Sequence, residues 1–227
     1  MTSFTAFYRS TIGKKIIMAI TGLIGIGFVI VHMAGNLQVF IGQDKIDSYG
    51  AALHGPLAEL TWLLRVILLA AVILHVLMAY QLTRRSAGAR PIPYQRREAQ
   101  VSTPASRTMK WGGVLLLLFI VVHILHFTTQ AVDPAGWRGM TDLQGHRDVY
   151  GNIVASFRIW WVAAFYIISM LALGLHLYHG AWSSVRTLGY ARPSPNPLHR
   201  RIALAVAVIV WLGFTVVPIG VIAGILR

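Results

Sequence analysis

Five long runs of apolar residues follow one another along the chain, separated by polar segments. Each run exceeds the length of about 18 residues that indicates a membrane-spanning helix. The polar segments carry turn signals, for example three prolines within 191–197. The sequence has no repeat of fixed period and no separate soluble domain. We therefore predict one all-α membrane domain over 1–227, with five transmembrane helices at about 15–41, 60–82, 111–132, 157–183 and 202–226.

Composition supports a membrane protein and limits its chemistry. Hydrophobic residues make up 56% of the chain and charged residues 12%, where soluble domains carry roughly 25% charged residues. The chain has no cysteine. This excludes disulfides, iron–sulfur clusters and thiolate ligands supplied by this chain. Any metal would have to be held by histidine or by oxygen ligands.

The net charge of +13 is unevenly distributed. With the N-terminus in the cytoplasm, the inner segments hold fourteen Lys and Arg residues and one acid, Glu98, whereas the outer segments hold six of each sign. The positive-inside rule then predicts a multi-pass protein of the inner (cytoplasmic) membrane, with the N-terminus cytoplasmic and the C-terminus outside. The basic face suits anionic membrane lipids or a soluble partner. Its cations are spread over short loops, so no nucleic-acid partner is expected.

Four of the five predicted spans contain histidine. The first has His32, the second His75, the third His123 and His126, and the fourth His176 and His179. Counted from the nearest inner cations at about 1.5 Å per residue, His32 and His123 lie about 20–25 Å from the inner edge, and His75 and His176 about 14–15 Å. The histidines therefore form two pairs at two depths. Depth alone does not separate His123 from His126.

Paired histidines at matched depth predict two bis-histidine b haems. Ionisable residues inside a membrane usually have a function. A proton relay would also enlist carboxylates, but all seven acids lie in loops or at span ends. Zinc would need further ligands, whereas haem supplies four nitrogens and needs only two histidines. Small residues near the histidines leave room for a porphyrin, and they equally permit close helix packing. They are Gly25, Gly27, Gly35, Gly112, Gly113, Gly174 and Gly180.

Four segments carry a family resemblance: "VIVHMAGNLQVFIG", "VILHVLMAY", "GGVLLLLFIVVHILHFT" and "GLHLYHGAWSSVRTLG". Over nearly its whole length the chain resembles the five-helix, di-haem cytochrome b subunit of succinate dehydrogenase and fumarate reductase that works with menaquinone. The resemblance selects His123, ten residues after Gly113, and His176, which precedes "GAWS". It implies an outer haem between His32 and His123 and an inner haem between His75 and His176.

The same resemblance implies partners and a substrate. An iron–sulfur subunit and a flavoprotein subunit would sit on the cytoplasmic face, and menaquinone would exchange electrons with this chain. This chain would not itself bind the dicarboxylate. We expect the iron–sulfur subunit to meet a set of six arginines: Arg84, Arg85, Arg96, Arg97, Arg200 and Arg201. The alternatives are a cytochrome b subunit of a nitrate reductase or hydrogenase, and a cofactor-free transporter or proton channel.

Two positions compete for the quinone. An inner site would lie near His179, Trp182 and Arg84. An outer site would give both haems a role, and the resemblance to menaquinone-linked enzymes favours it. Quinone chemistry needs hydrogen-bond partners and a proton route. The outer ends of the first two spans offer four such residues: Gln38, His54, Glu59 and Arg65. Such residues are equally typical of the membrane boundary, which is the alternative interpretation.

Overall fold

The computed structural model describes residues 3–89, 102–191 and 198–227, and these are largely helical. A 3-10 turn over Leu37–Phe40 follows α2, and a π-helical turn over Ile124–Thr128 follows α5. In the described ranges, β pairing is limited to one isolated bridge between Thr141 and Arg147. The helices are α1 (Ser3–Arg9), α2 (Thr11–Asn36), α3 (Gln43–His54), α4 (Ala58–Gly88), α5 (Pro104–His123), α6 (Val149–Arg158), α7 (Trp160–Thr187) and α8 (Leu198–Ile222).

Among the described residues, five helical segments are long and apolar enough to cross a membrane, which confirms the predicted all-α class and number of candidate spans. Many large apolar side chains on them face outward, among them Val31, Trp62 and Leu118. Such exposure suits a lipid environment, since exposed apolar patches of this extent are rare on soluble monomers. The chain therefore has the character of a multi-pass membrane protein. The segments are Thr11–Phe40, Ala58–Gly88, Pro104–Thr128, Trp160–Thr187 and Leu198–Ile222.

The second and third spans are longer on the predicted inner side than the sequence suggested. Helix α4 continues to Gly88 instead of ending near 82, and α5 begins at Pro104 instead of 111. Proline is well suited to the first helical position, and the side chain of Thr103 accepts a hydrogen bond from the Ser106 N–H at 3.2 Å. The predicted loop over 84–107 is shorter for this reason, and its residues 90–101 lie outside the described part.

The fourth span begins later than predicted. Phe157 belongs to a separate helix, α6, which ends at Arg158. Ile159 then adopts an extended conformation with φ −80° and ψ 108°, so the chain turns before α7 starts at Trp160. Asp148 accepts a hydrogen bond from the Gly151 N–H at 2.6 Å and so caps α6. The fifth span, in contrast, begins four residues earlier than predicted, at Leu198, and it ends at Ile222.

Helix packing is uneven. Helix α2 packs against α4, α7 and α8, while α5 packs mainly against α7, and α7 also packs on α8. Two clusters of buried apolar side chains form around α7 and α8. One centres on Phe157, Tyr166 and Val217, and the other on Met33 and Leu177. Helices α4 and α5 contribute to neither cluster through a buried residue, and most of their surface is exposed within this chain.

The two connections on the predicted outer side are joined to each other. Oδ1 of Asp47, on α3, accepts hydrogen bonds from the N–H groups of Val149 and Tyr150 at 2.8 and 2.9 Å. Asp47 is fully buried. Burial raises the pKa of Asp47, although these two backbone hydrogen bonds act in the opposite direction. The contact satisfies free amides at the start of α6 and docks α3 onto it.

Arg147 ties the loop before α6 to the end of the third span. It donates hydrogen bonds to the carbonyl groups of Phe127 and Thr128 at 2.8 and 3.2 Å. These carbonyls belong to the π-helical turn and would otherwise lack part of their intrahelical partners. Partial burial lowers the pKa of Arg147 from its ordinary value.

Candidate cofactor site: two histidine pairs

One pair of histidines joins α2 to the end of α5. The ring centres of His32 and His123 lie 5.8 Å apart, with the rings inclined at 78°. Each imidazole stacks on a phenylalanine one turn earlier in its own helix, His32 on Phe28 and His123 on Phe119. We call His32 and His123 the outer pair, after their predicted depth. The sequence predicted this partnership, and the structure brings the two rings together.

A second pair joins α4 to α7. The ring centres of His75 and His176 lie 6.1 Å apart, at 58°. Nδ1 of His75 lies 3.0 Å from the carbonyl oxygen of Met18, so this nitrogen carries the proton and donates. Nε2 of His75 is then the nitrogen with a free lone pair. Nδ1 of His176 is buried and has no hydrogen-bond partner among the described residues. We call these two residues the inner pair.

The spacing of both pairs suits one metal ion between two imidazoles. Metal–imidazole nitrogen distances of about 2 Å place two opposed ring centres about 6 Å apart. The observed distances are 5.8 Å for the outer pair and 6.1 Å for the inner pair. In the described part of the chain, α2 with α5 and α4 with α7 are not among the closely packed helix pairs. The histidines therefore meet across helices whose backbones stand apart.

The glycines near the histidines divide into two groups. Gly25 is seven residues before His32 and Gly112 eleven before His123, which places each on the same helix face as its histidine. A Cβ atom added at either glycine would meet no atom within 4 Å. Gly180 is equally open. Gly27 is open too, but it is exposed and lies on a different face of α2 from His32. Open space beside the histidines is therefore present at Gly25, Gly112 and Gly180, as a porphyrin would require.

Other glycines of the predicted set serve packing. A Cβ at Gly35 would lie 2.9 Å from the ring of Tyr49, and one at Gly174 would lie 3.3 Å from Trp211. At Gly113 the added atom would lie 3.9 Å from Cε1 of His176. Gly22, which the sequence reasoning missed, is closer: its Cβ would lie 3.2 Å from Cε1 of His75. The absence of a side chain at Gly22 thus allows His75 its position.

The second histidine of the third span does not face His32. His126 is 3% exposed, and both of its ring nitrogens have partners. Nδ1 lies 3.0 Å from the Tyr166 hydroxyl, and Nε2 lies 3.0 Å from the Ser156 hydroxyl. The geometry therefore separates His123 from His126, which depth counting could not do. No sequence pattern indicated Tyr166 or Ser156 as partners of His126, because they come from two later helices.

The second histidine of the fourth span borders a cavity at the predicted inner ends of the helices. His179 lines this cavity of about 450 Å³ together with Lys15, Trp182, Ser183 and Arg186. The guanidinium groups of Arg186 and Arg200 lie over the Trp182 ring at 4.8 and 4.6 Å. His179 and Trp182 thus share one cavity, as an inner quinone site would require. Arg84 does not line it, and its guanidinium lies over Tyr80 instead.

The four residues predicted for an outer quinone site do not form a cluster of bonded side chains. His54 Nδ1 donates to the Gly50 carbonyl at 2.9 Å within its own helix, and Arg65 lies over the Trp62 ring. Glu59 is exposed in the first turn of α4, and Gln38 is half-buried in the 3-10 turn. Within the described ranges, no hydrogen bond or ion pair joins two of the four. Their role as a site stays a prediction.

Comparison with known proteins adds no family to these observations. The described residues contain no group of three or more His, Cys, Asp or Glu side chains that could hold a metal ion. The arrangement found is two separate pairs of imidazoles. No family model, no curated protein and no solved structure matches this chain.

Proposed function

We propose that this chain is the membrane-anchor cytochrome b subunit of a succinate:quinone oxidoreductase, with two b haems held by the two histidine pairs. The observation that carries the proposal is the repeated pairing of imidazoles at 5.8 and 6.1 Å on four different spans. A single intramembrane histidine is readily explained by a hydrogen bond. Two pairs on four spans, each at a spacing that one metal ion could bridge, support two sets of axial ligands.

The residues present fit a haem. His75 offers Nε2, because its Nδ1 proton is held by the Met18 carbonyl, a common arrangement behind metal-binding histidines. His176 has an unpartnered buried Nδ1. In the outer pair, Nε2 of His32 lies 3.3 Å from the Asn36 amide nitrogen, which would give up this contact to an iron. Gly25 and Gly112 leave space beside that pair.

Bound haem would supply one-electron chemistry, and the protein would supply position and a dry environment. The histidines hold the two sites at different depths. Phe28, Phe119 and Phe214 pack against the rings of the outer pair and add apolar surface to its surroundings. Electrons would pass between an iron–sulfur subunit at one membrane face and menaquinone. The chain would take part in electron transfer and quinone exchange and leave the dicarboxylate to its partners.

The partners and orientation rest on the charge distribution. Among the residues expected to meet the iron–sulfur subunit, Arg84 and Arg85 end α4 and Arg200 and Arg201 begin α8. Arg96 and Arg97 lie outside the described residues. The acids of the chain are concentrated at the opposite helix ends. This asymmetry supports an inward basic face that binds the iron–sulfur subunit, with the flavoprotein beyond it.

The deciding experiment measures haem in the purified complex and in four alanine variants. We expect two b haems per chain in reduced-minus-oxidised spectra. His32→Ala and His123→Ala should each lose the same haem, and His75→Ala and His176→Ala should each lose the other, because each change removes one of two axial ligands. Redox titration identifies which spectral component is missing.

Matched controls come from the two remaining span histidines. His126→Gln and His179→Gln should keep both haems. A wild-type complex without b-type spectra would overturn the proposal and leave a cofactor-free transporter or channel. Two haems with no flavoprotein subunit in the purified complex would favour the cytochrome b of a nitrate reductase or hydrogenase. Loss of a haem in His126→Gln with both haems kept in His123→Ala would reverse the third-span assignment.

A further inference from the structure

A chain of hydrogen bonds runs behind the outer pair, through residues that the proposed function does not use. His123 Nδ1 lies 3.4 Å from the Tyr166 hydroxyl, which lies 3.0 Å from His126 Nδ1. His126 Nε2 lies 3.0 Å from the Ser156 hydroxyl. Ser156 in turn donates to Oδ1 of Asn152 at 3.1 Å. These hydrogen bonds therefore link α5, α7, the π-helical turn and α6.

This series of hydrogen bonds is isolated from water. His126, Ser156 and Asn152 are 3%, 0% and 4% exposed, and Tyr166 is 7% exposed. Aromatic rings enclose it, with Phe127 and Phe157 at 5.7 and 5.1 Å from the Tyr166 ring. A buried polar group without a partner costs about 1–3 kcal/mol, so each member holds its neighbour in place. In this series of hydrogen bonds, the position of each proton is therefore set by the neighbouring group.

The direction follows from its last member. The Asn152 amide oxygen is an acceptor, so the Ser156 proton points to it and Ser156 can only accept from His126 Nε2–H. Neutral His126 then has a lone pair on Nδ1, which accepts the Tyr166 proton. The Tyr166 oxygen is left as an acceptor for Nδ1–H of His123. A His123 protonated on Nδ1 keeps its lone pair on Nε2.

We propose that Tyr166, oriented by His126, Ser156 and Asn152, is a positioning residue that holds the proton of His123 on Nδ1 and offers Nε2 to the outer haem iron. The inference rests on the proposed function. It assigns a role to His126, whose two ring nitrogens are both hydrogen-bonded and so are not free for a metal. It also gives His123 the outer partner that metal-binding histidines characteristically have.

A hydrogen bond accepted from Nδ1–H makes the imidazole a stronger donor to iron and so favours the ferric state. Tyr166→Phe removes the accepting oxygen and keeps the ring. We expect the midpoint potential of the outer haem to rise, by about 59 mV if the ferric-to-ferrous equilibrium changes tenfold. The ferric low-spin electron paramagnetic resonance signal of that haem should shift too. The inner haem should keep its potential and its signal.

The test compares Tyr166→Phe with Tyr150→Phe in the full complex, and identifies the outer haem as the component lost in His123→Ala. Tyr150 packs against the same apolar cluster as Tyr166, and its hydroxyl has no hydrogen bond to a histidine among the described residues. Tyr150→Phe should leave both haems unchanged. Ser156→Ala should move the outer haem in the same direction by less, since its effect passes through His126.

Several results would overturn the inference while leaving the proposed function intact. One is an unchanged outer potential and resonance signal in Tyr166→Phe with both haems bound. Another is an equal shift in Tyr150→Phe, which would indicate general loosening of the outer cluster. If Tyr166→Phe loses the outer haem altogether, Ser156→Ala decides, and an unchanged potential there counts against the inference. Absence of haem from the wild-type complex would instead refute the proposed function itself.

Discussion

The outer and inner histidine pairs have nearly the same ring spacing but are held by different means. His123 is supported by a series of hydrogen-bonded side chains from three other parts of the fold, which ends at Asn152. Behind His75 stands a backbone carbonyl, that of Met18, and the close approach of Gly22. A backbone carbonyl is present whatever the side chain, so the inner pair depends on helix packing, whereas the outer pair depends on particular side chains.

The surroundings of the two pairs differ in the same way. Phenylalanine and tyrosine rings pack on the outer pair, and the docking of α3 onto α6 closes that end of the molecule. The inner end is more polar. There buried Lys14 donates to Oε1 of Gln81, which joins α2 to α4, and a cavity borders His179. The same ring spacing therefore occurs in two different settings. The outer pair has apolar surroundings and side-chain hydrogen bonds, whereas the inner pair has a backbone hydrogen bond and polar groups nearby.

The largest expected effect breaks the inner pair alone. Gly22→Val places a branched side chain where even a Cβ would lie 3.2 Å from His75, so the His75 ring must shift from its position beside His176. We expect loss of the inner haem with the outer haem retained, measured by haem content and redox titration. The matched control is Gly27→Val on the same helix, where an added Cβ meets no atom. Retention of both haems with unchanged potentials in Gly22→Val would show that this close approach does not matter.

If the proposed function is correct, a smaller effect would tell which end of the molecule binds the quinone. If the outer site is correct, Glu59→Gln removes a proton-transfer group and should lower menaquinone turnover by about tenfold or more, since such groups typically contribute at least that much. Both haems should remain, because Glu59 is exposed and is not among the residues found in contact with the histidine pairs. His179→Gln, in the inner cavity, should leave turnover nearly unchanged. The opposite pattern, with Glu59→Gln fully active and His179→Gln impaired, would move the quinone to the inner end.

The smallest expected effect concerns the closure of the outer end. Asp47→Ala removes the acceptor for the N–H groups of Val149 and Tyr150, which should cost about 1–2 kcal/mol, as for other helix caps. Thermal unfolding in detergent should detect this as a lower midpoint. Asp47→Asn keeps an acceptor oxygen and should lose less. Equal midpoints for wild type and Asp47→Ala would show that the α3–α6 contact adds no stability.

The same carboxyl predicts a pH dependence. Burial raises the pKa of Asp47 above its ordinary value of 3.8. A group whose folded pKa lies above its unfolded pKa stabilises the fold fully below the unfolded value, and this contribution is lost as the pH rises through the folded pKa. The wild type should therefore lose stability relative to Asp47→Asn between acidic and neutral pH. A difference that does not change with pH would contradict the shifted pKa.

The sequence by itself determined the helical class, the number of candidate spans and which spans carry histidine. These follow from local composition, since a run of apolar residues long enough to cross a membrane is helical wherever it sits. Depth counting also matched His75 with His176, because the rise per residue of a helix is nearly constant. The sequence also contains a local signal for the start of α5, Thr103 before Pro104. The predicted start at 111 instead followed the first residue of the apolar run.

The resemblance selected His123 over His126, but only the tertiary structure shows the physical reason why His123 is the histidine that meets His32. His123 and His126 are three residues apart in one apolar stretch, and their difference arises from Tyr166 and Ser156, contributed by α7 and α6. The contact between Asp47 and the start of α6 likewise joins segments about a hundred positions apart in sequence. Periodicity and composition describe each helix alone, whereas hydrogen-bond partners and ring contacts come from the way the helices pack together.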